Sequence, residues 1–477
     1  MSVHNTIKRN NLQLFRGKKS AQSKPRAKLQ SAKEDCSLFS RLYIASQTRE
    51  GDLEGFFSHE NKKYPPSLSE FDDLRKGKKS DLMECLEAHG SIIPQTPSVT
   101  AMIVDGAAAV HKINPGLCST FEDYCDKAFK GYIMSCGRDI HRIDLVFDAY
   151  WDNSLKSSTR LRRGTGDRVK VTLQTPIPKN WNAFLKVSEN KEELFHLLAK
   201  RLILTVPQEK ISLLCTIGPE VISNNACIDY NMLSPCNHEE ADSRMLLHVK
   251  HASMSQHANI MISTVDSDVL IIALQAFHQL NVLQLWMEFG VGKHKRYIPC
   301  HEYAASLGPD KCSALAFWHA FSGCDTVSSF SGRGKKTVMD AWTRFEAVTP
   351  IFISLSSTPH EVTDEQLSVL EHFVVTLYDR TSPVHKVNQS RQYLFTKKNR
   401  TLENIPPTQS ALKEHAKRAA YQAGHVWKQS LQKTAVLPEP ANWGWRMTAE
   451  GYKPMWTVLP EVNNIININN CFELELE

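Results

Sequence analysis

From about residue 98 the chain alternates two apolar patterns. The first is a short continuous run, as in "AMIVDG" (101–106), "IDLVFD" (143–148), "NIMIST" (259–264) and "VLQLWMEF" (282–289). Runs of this length without polar alternation predict strands buried on both faces. The second, in "KEELFHLLAKRLI" and "EEADSRMLLHVKH", repeats its apolar positions every three to four residues and predicts amphipathic helices. Strands alternating with helices imply an α/β fold, a mainly parallel sheet flanked by helices. Beyond residue 349 the strand pattern fades, and "DEQLSVLEHFVVTLYDR" and "TQSALKEHAKRAAYQAGHVWKQSLQ" predict a helical C-terminal region. The expected organisation is therefore residues 1–97 as a basic, partly disordered N-terminal region closed by a linker at Pro94 to Pro97, 98–348 as the α/β domain, and 349–477 as the helical region.

Charge refines this outline at one end. The 477 residues carry a formal charge of only +6, but Met1 to Lys33 holds nine Lys and Arg with no Asp or Glu. Such an arm suits nucleic acid or a nuclear address, and equally a solvated tail. No signal-peptide pattern and no apolar run of membrane-spanning length is present, so an intracellular protein without a membrane partner is expected. The 12 cysteines contain no C-x-x-C pair, which favours reduced thiols over a disulfide framework or a zinc site.

Carboxylates recur where the predicted strands end. Asp105 closes "IVD", Asp148 follows "LVF", Asp266 and Asp268 follow "NIMISTV", and Glu239, Glu240 and Asp242 open a predicted helix. Asp325 lies in the loop "FSGCDTVSSF" after an apolar helix. Each alone is weak evidence: an Asp after a strand, such as Asp268, suits a helix N-cap, and Asp242 suits an ion pair on a solvated helix face. In a parallel sheet, however, these positions fall at the carboxyl ends of the strands, where ligands bind. Carboxylates gathered there repel one another unless a cation neutralises them, and Mg²⁺ takes such oxygen ligands. On an ideal helix Glu239 and Asp242 share a face while Glu240 and Asp242 do not, so the pair that converges is left open.

In order along the chain, "IVDG", "LVFDAYWDNSLKSSTRLRR", "EEADSRMLL", "STVDSDVLII" and "AFSGCDTVSSFSGRGKKT" resemble the acidic motifs of the flap endonuclease (XPG-type) branch of the PIN-like nuclease superfamily, especially its divergent asteroid-like members. The resemblance covers about Ser98 to Trp342. It implies a PIN-like fold, two Mg²⁺ or Mn²⁺ ions held by Asp105, Asp148, Glu240, Asp242, Asp266, Asp268 and Asp325, and hydrolysis of nucleic-acid phosphodiesters, commonly at a flap or junction, favouring DNA over RNA. It also places Lys156 and Arg163 near the scissile phosphate as catalytic residues. The sequence departs from the family in the hundred residues before Asp105, in the prolines Pro176 and Pro178 where a helical arch is expected, and in Asp242 standing where the family has Glu.

Basic positions complete the expectation. On a helix Lys156, Arg160 and Arg163 fall near one face suited to phosphates. "SGRGKKT" offers Gly332, Gly334, Lys335 and Lys336 at a helix start, an arrangement suited to a phosphate, and the resemblance assigns it to duplex backbone binding. His238, His248 and His251 lack any accompanying zinc spacing and are expected to pack, as are Trp443, Trp445 and Trp456. The function expected is a metal-dependent nuclease. The alternatives are a catalytically inactive PIN-like nucleic-acid-binding or scaffold protein, and a protein-interaction module in the C-terminal helices.

Overall fold

The computed structural model describes residues 53–78, 80–137, 139–151, 154–156, 166–398 and 400–461. The chain divides into a large unit, Phe57–Ile465, and a small one, Met1–Phe56 with Ile466–Glu477. Of the small unit only the start of the helix Leu53–Ser58 is described. The basic arm lies outside the described residues.

The large unit is built on a seven-stranded sheet. Its strands are β1 (Ala101–Asp105), β2 (Arg142–Val146), β3 (Ser212–Ile217), β4 (Glu220–Ser223), β5 (Asn259–Thr264), β6 (Gln284–Phe289) and β7 (Arg296–Pro299). They lie in the order β4-β3-β2-β1-β5-β6-β7. The five central strands are parallel, and β4 and β7 add antiparallel edges. Every residue of β1 and β2 is buried, as their unbroken apolar runs predict for a sheet covered on both faces.

Strand β1 pairs with β2 in the register Asp105↔Val146 and with β5 in the register Val104↔Ser263. The chain thus winds from β1 through β2 to β3 in one direction and then returns to lay β5 and β6 on the other side. The crevice between β1 and β5 is a topological switch point, where open α/β sheets bind ligands.

Helices α1 (Gly106–Lys112), α2 (Ser188–Thr205), α3 (Ala241–Met254) and α4 (Ser267–Ala276) cover the sheet. A longer helix, α5 (Cys300–Phe321), is kinked where Gly308 precedes Pro309. The C-terminal part adds α6 (Lys335–Arg344), α7 (Asp364–Tyr378), α8 (Val387–Thr396) and α9 (Gln409–Ala420), with α9 running on into a π-helical turn at Tyr421–Val426. His415 of α9 caps α5, its Nε2–H donating to the Phe321 carbonyl at 2.8 Å. Among the described residues no helix is long and apolar enough to cross a membrane.

One buried polar network fixes α3 on the sheet. Arg142 and Asp144, two apart on β2, point to the same side of the sheet and form a bidentate pair at 2.7 Å for both bonds. His248 of α3 donates from Nδ1 to Asp144 at 2.7 Å, and Arg142 donates to Nδ1 of His251 at 2.8 Å. Burial alone would raise the Asp144 carboxyl, but Arg142 and His248 hold it well below the usual range. All three histidines are buried in the packing, and His238 faces the Gln432 carbonyl through Nε2 and Ser243 through Nδ1. Trp443, Trp445 and Trp456 are likewise buried.

Candidate metal centre

Each acidic side chain is positioned by the end of a regular element. Asp105, the last residue of β1, caps α1 by accepting from the Ala108 amide at 2.9 Å, and its other oxygen accepts from Thr264 at 3.1 Å. The chain turns at Gly106, where a Cβ would meet the Phe147 ring at 2.3 Å, so only glycine lets helix α1 begin directly after the aspartate. Asp148, two residues past β2, accepts from the Ala241 amide at 2.9 Å and so addresses the start of α3. Asp266, two past β5, caps α4 through the Asp268 amide at 3.0 Å.

The open question about the acidic helix start has a backbone answer. Glu240 is the N-cap of α3 and extended (φ −102°, ψ 138°), so the helical spacing rule does not apply to it. Glu239, Glu240 and Asp242 therefore all reach one cleft. This cleft, about 360 Å³, is also lined by Asp105, Asp148, Asp266 and Asp325. Alanines 107 and 108, next to Asp105 on α1, help form its wall.

Asp268 is placed differently from the expectation. It is 3% exposed, does not line the cleft, and accepts from Nε2 of the buried His319 at 3.1 Å. It still belongs to the centre, since one carboxylate oxygen each of Asp266, Asp268 and Asp325 lie within 4.8 Å of one another. His319 itself stacks on Trp427 with ring centroids 5.5 Å apart.

Crowding has the expected electrostatic consequence. Burial, with the Asp148 charge added, pushes the Asp105 carboxyl up to about 7 against the pull of its two hydrogen bonds. Asp242 is raised well above the ordinary carboxylate range by burial and by Asp266, with Lys156 opposing. All the donors are oxygens, and at least two resist ionising without a cation nearby. That is the donor set and the charge deficit a hard divalent ion satisfies.

The cationic side chains separate into three outcomes. Lys156 lines the cleft and is ion-paired with Glu240. Arg160 and Arg163 lie outside the described residues. Lys335 corrects the expectation of a phosphate contact: it is 2% exposed, and its ammonium donates to the carbonyls of His319 (3.0 Å) and Gly323 (2.8 Å) and to the Ser322 hydroxyl (2.9 Å). An ammonium with three buried acceptors closes the end of α5 and has no donor left for a phosphate. Lys336 is exposed but paired with Glu84. Gly332 is exposed at φ 65°, and Gly334 caps α6 so close to Asp81 that a Cβ would lie 2.9 Å from its carboxylate. An acid thus stands beside the helix start that the sequence offers to an anion.

Three further residues, absent from the sequence expectation, line the cleft. Lys191, on α2, lies over the Tyr150 ring at 4.7 Å. His111, on α1, has its imidazole pKa lowered by burial and by Lys191. Tyr150 and Lys191 lie far apart in the sequence and meet only through tertiary packing; His111 was within reach, lying one turn beyond Ala107 and Ala108 on the same face.

No protein-family model and no curated protein matches the chain. Three solved structures similar to it are human GEN1 in complex with Holliday junction DNA (13% identity, TM-score 0.32, covering 55% of this chain and 55% of that one), the T5 D15 protein co-crystallized with metal ions (12%, 0.33, 70% and 97%), and the catalytic core of Rad2 in complex with a DNA substrate (12%, 0.33, 69% and 97%). The chain thus matches about half the length of the GEN1 chain.

Proposed function

We propose that this chain is a divalent-metal-dependent nuclease that hydrolyses nucleic-acid phosphodiesters, with residues 98–348 as the nuclease domain and flap or junction DNA as its substrate class. One observation carries the reading. Six of the seven carboxylates that the resemblance assigns to the ions, from five separate segments, meet in one cleft at the carboxyl ends of β1, β2 and β5, with Glu239 beside them.

Asp105, Asp148, Glu240, Asp242, Asp266, Asp268 and Asp325 would hold two Mg²⁺ or Mn²⁺ ions, with Asp268 braced from behind by His319. Bound there, such ions supply a lowered pKa for water and stabilisation of charge on the attacking and leaving oxygens of a phosphodiester. The protons favoured on Asp105 and Asp242 must leave for the ions to enter. Lys156, paired with Glu240 in the cleft wall, is the ammonium that turns to the phosphate and helps orient it.

The test is cleavage of end-labelled single-stranded, duplex and 5′-flap DNA, with matching RNAs, in Mg²⁺ or Mn²⁺ beside Asp266→Asn. Asn retains the α4 cap, so this control keeps its fold while losing a charged ligand. Metal-dependent products absent from the control are expected. Folded wild-type protein that cuts none of these substrates, yet retains nucleic acid, would instead make the chain a binding or scaffold protein.

A further inference from the structure

Lys156, Glu239 and Glu240 line more than the acidic cleft. They also form one wall of a second chamber of about 300 Å³, whose other walls come largely from residues 421–452 of the C-terminal region. The two cavities are neighbours that share the Lys156–Glu240 ion pair in their walls. The second is chemically unlike the first: Tyr421, Tyr452, Leu437 and Pro438 offer apolar and aromatic surface, while Gln422 and Asn237 bring amides.

Its walls are preformed. Asn237 is bound to residue 435 in both directions, donating to the Ala435 carbonyl at 2.8 Å and accepting from the Ala435 amide at 2.7 Å. Tyr452 donates to Glu439 at 2.8 Å. Gln422 is 4% exposed and lines the chamber; its carbonyl oxygen takes the Thr326 hydroxyl at 2.8 Å, which leaves the NH₂ edge of the amide as the donor. Tyr421 and Gln422 lie on the π-helical turn that ends α9, an irregularity that recurs at functional sites.

Charge excludes one class of ligand. Among the described residues, Glu239, Glu240 and Glu439 line the chamber against one ammonium, that of Lys156, which Glu240 engages. A phosphate is repelled there. A flat, neutral heterocycle with hydrogen-bonding edges is not, since aromatic surface and a placed amide donor such as that of Gln422 suit such a ligand. The geometry points to a nucleobase pocket: the chamber receives the unpaired base of the nucleotide next to the scissile phosphate while the phosphate stays in the acidic cleft. This rests on the nuclease reading for its phosphate but on the chamber alone for its base.

The experiment separates the two. Oligonucleotides carrying 2-aminopurine at each successive position are titrated with full-length Asp266→Asn protein in Ca²⁺, and wild-type cleavage is compared on substrates with and without an abasic residue at the responding position. A fluorescence change confined to one or two positions is expected, lost in Leu437→Trp, which fills the chamber, and in Gln422→Leu, which removes its donor. Removing the base should slow wild-type cleavage roughly tenfold, the scale of one lost base-stacking contact. A flat scan, or a response that survives in both folded variants, overturns the pocket, as does cleavage indifferent to base removal, even where the nuclease activity itself is present. A position-specific response in a protein that cuts nothing upholds the pocket and rejects the nuclease reading instead.

Discussion

Replacing Asp105 by Asn should stabilise the metal-free protein, and should do so only above a certain pH. The carboxyl is 7% exposed and its pKa stands near 7 in the folded chain against an ordinary value of 3.8. The folded state therefore holds a proton that the unfolded state has released throughout this window. Stability falls as pH rises wherever the folded state binds more protons, so the cost begins near pH 4, grows through the window and is complete above about 7. At 1.36 kcal/mol per pH unit the full cost is of order 4 kcal/mol. Asn carries no charge at any pH and can still accept from Ala108, but its amide nitrogen replaces the oxygen that accepts from Thr264, which returns about 1 kcal/mol. Urea denaturation in EDTA should then show Asp105→Asn at about its baseline near pH 4 and roughly 2–4 kcal/mol more stable, relative to wild type, at pH 8. Millimolar Mg²⁺ should narrow the gap by stabilising the wild type more, since an ion bound only to the folded state adds to its stability. A difference between the two proteins that does not change with pH, or a variant less stable at pH 8 than at pH 5 relative to wild type, would refute the reasoning.

Two further outcomes follow from buried groups. Lys335→Met strands three acceptors at the end of α5 and should cost roughly 2–4 kcal/mol in urea melts, while the salt dependence of nucleic-acid binding by the folded protein stays the same, because no phosphate contact is lost; a shallower salt slope without destabilisation would restore the phosphate role. Asp144→Asn leaves Arg142 buried without its anion and should cost about 3–5 kcal/mol at neutral pH; because the Asp144 pKa is depressed, its contribution is present above the ordinary carboxylate range and is lost as pH falls, so the two proteins should converge in acid denaturation.

The parts of the fold legible in the sequence are those whose environment is uniform. Strands β1, β2, β5 and β6 are buried on both faces along most of their length, so an unbroken apolar run reports them without any knowledge of neighbours. The edges β4 and β7 are four residues each and pair antiparallel, too short for a periodic signal. The C-terminal helices α7 and α9 show their apolar stripe, but the π-helical turn after α9 follows from packing. The acidic centre was legible for a related reason: strand ends are visible in the pattern, and parallel strands bring their ends to one edge. His319 lies 51 residues from its partner Asp268, and Lys191 reaches the cleft and Tyr150 from a helix distant in sequence, so neither pairing leaves a local trace.

Lys335 shows why a local motif can misassign a role yet point to the right place. Glycines followed by two lysines at a helix start describe an anion cradle only if the ammonium is free to leave the protein surface, and that depends on what packs against the helix. Here the carboxyl end of α5 does. Its residue His319 holds Asp268, and Gly323, at φ 112°, starts the loop that delivers Asp325 to the cleft. By donating to the carbonyls of both His319 and Gly323, Lys335 ties together the supports of two carboxylates of the candidate centre. Its charge then acts on the candidate metal centre through the backbone, as a positioning residue, and the same Lys335→Met substitution that lowers stability should also loosen the grouping of Asp266, Asp268 and Asp325 and weaken divalent-ion binding measured by calorimetry. Unchanged ion affinity in the folded variant would confine Lys335 to a structural role remote from the site.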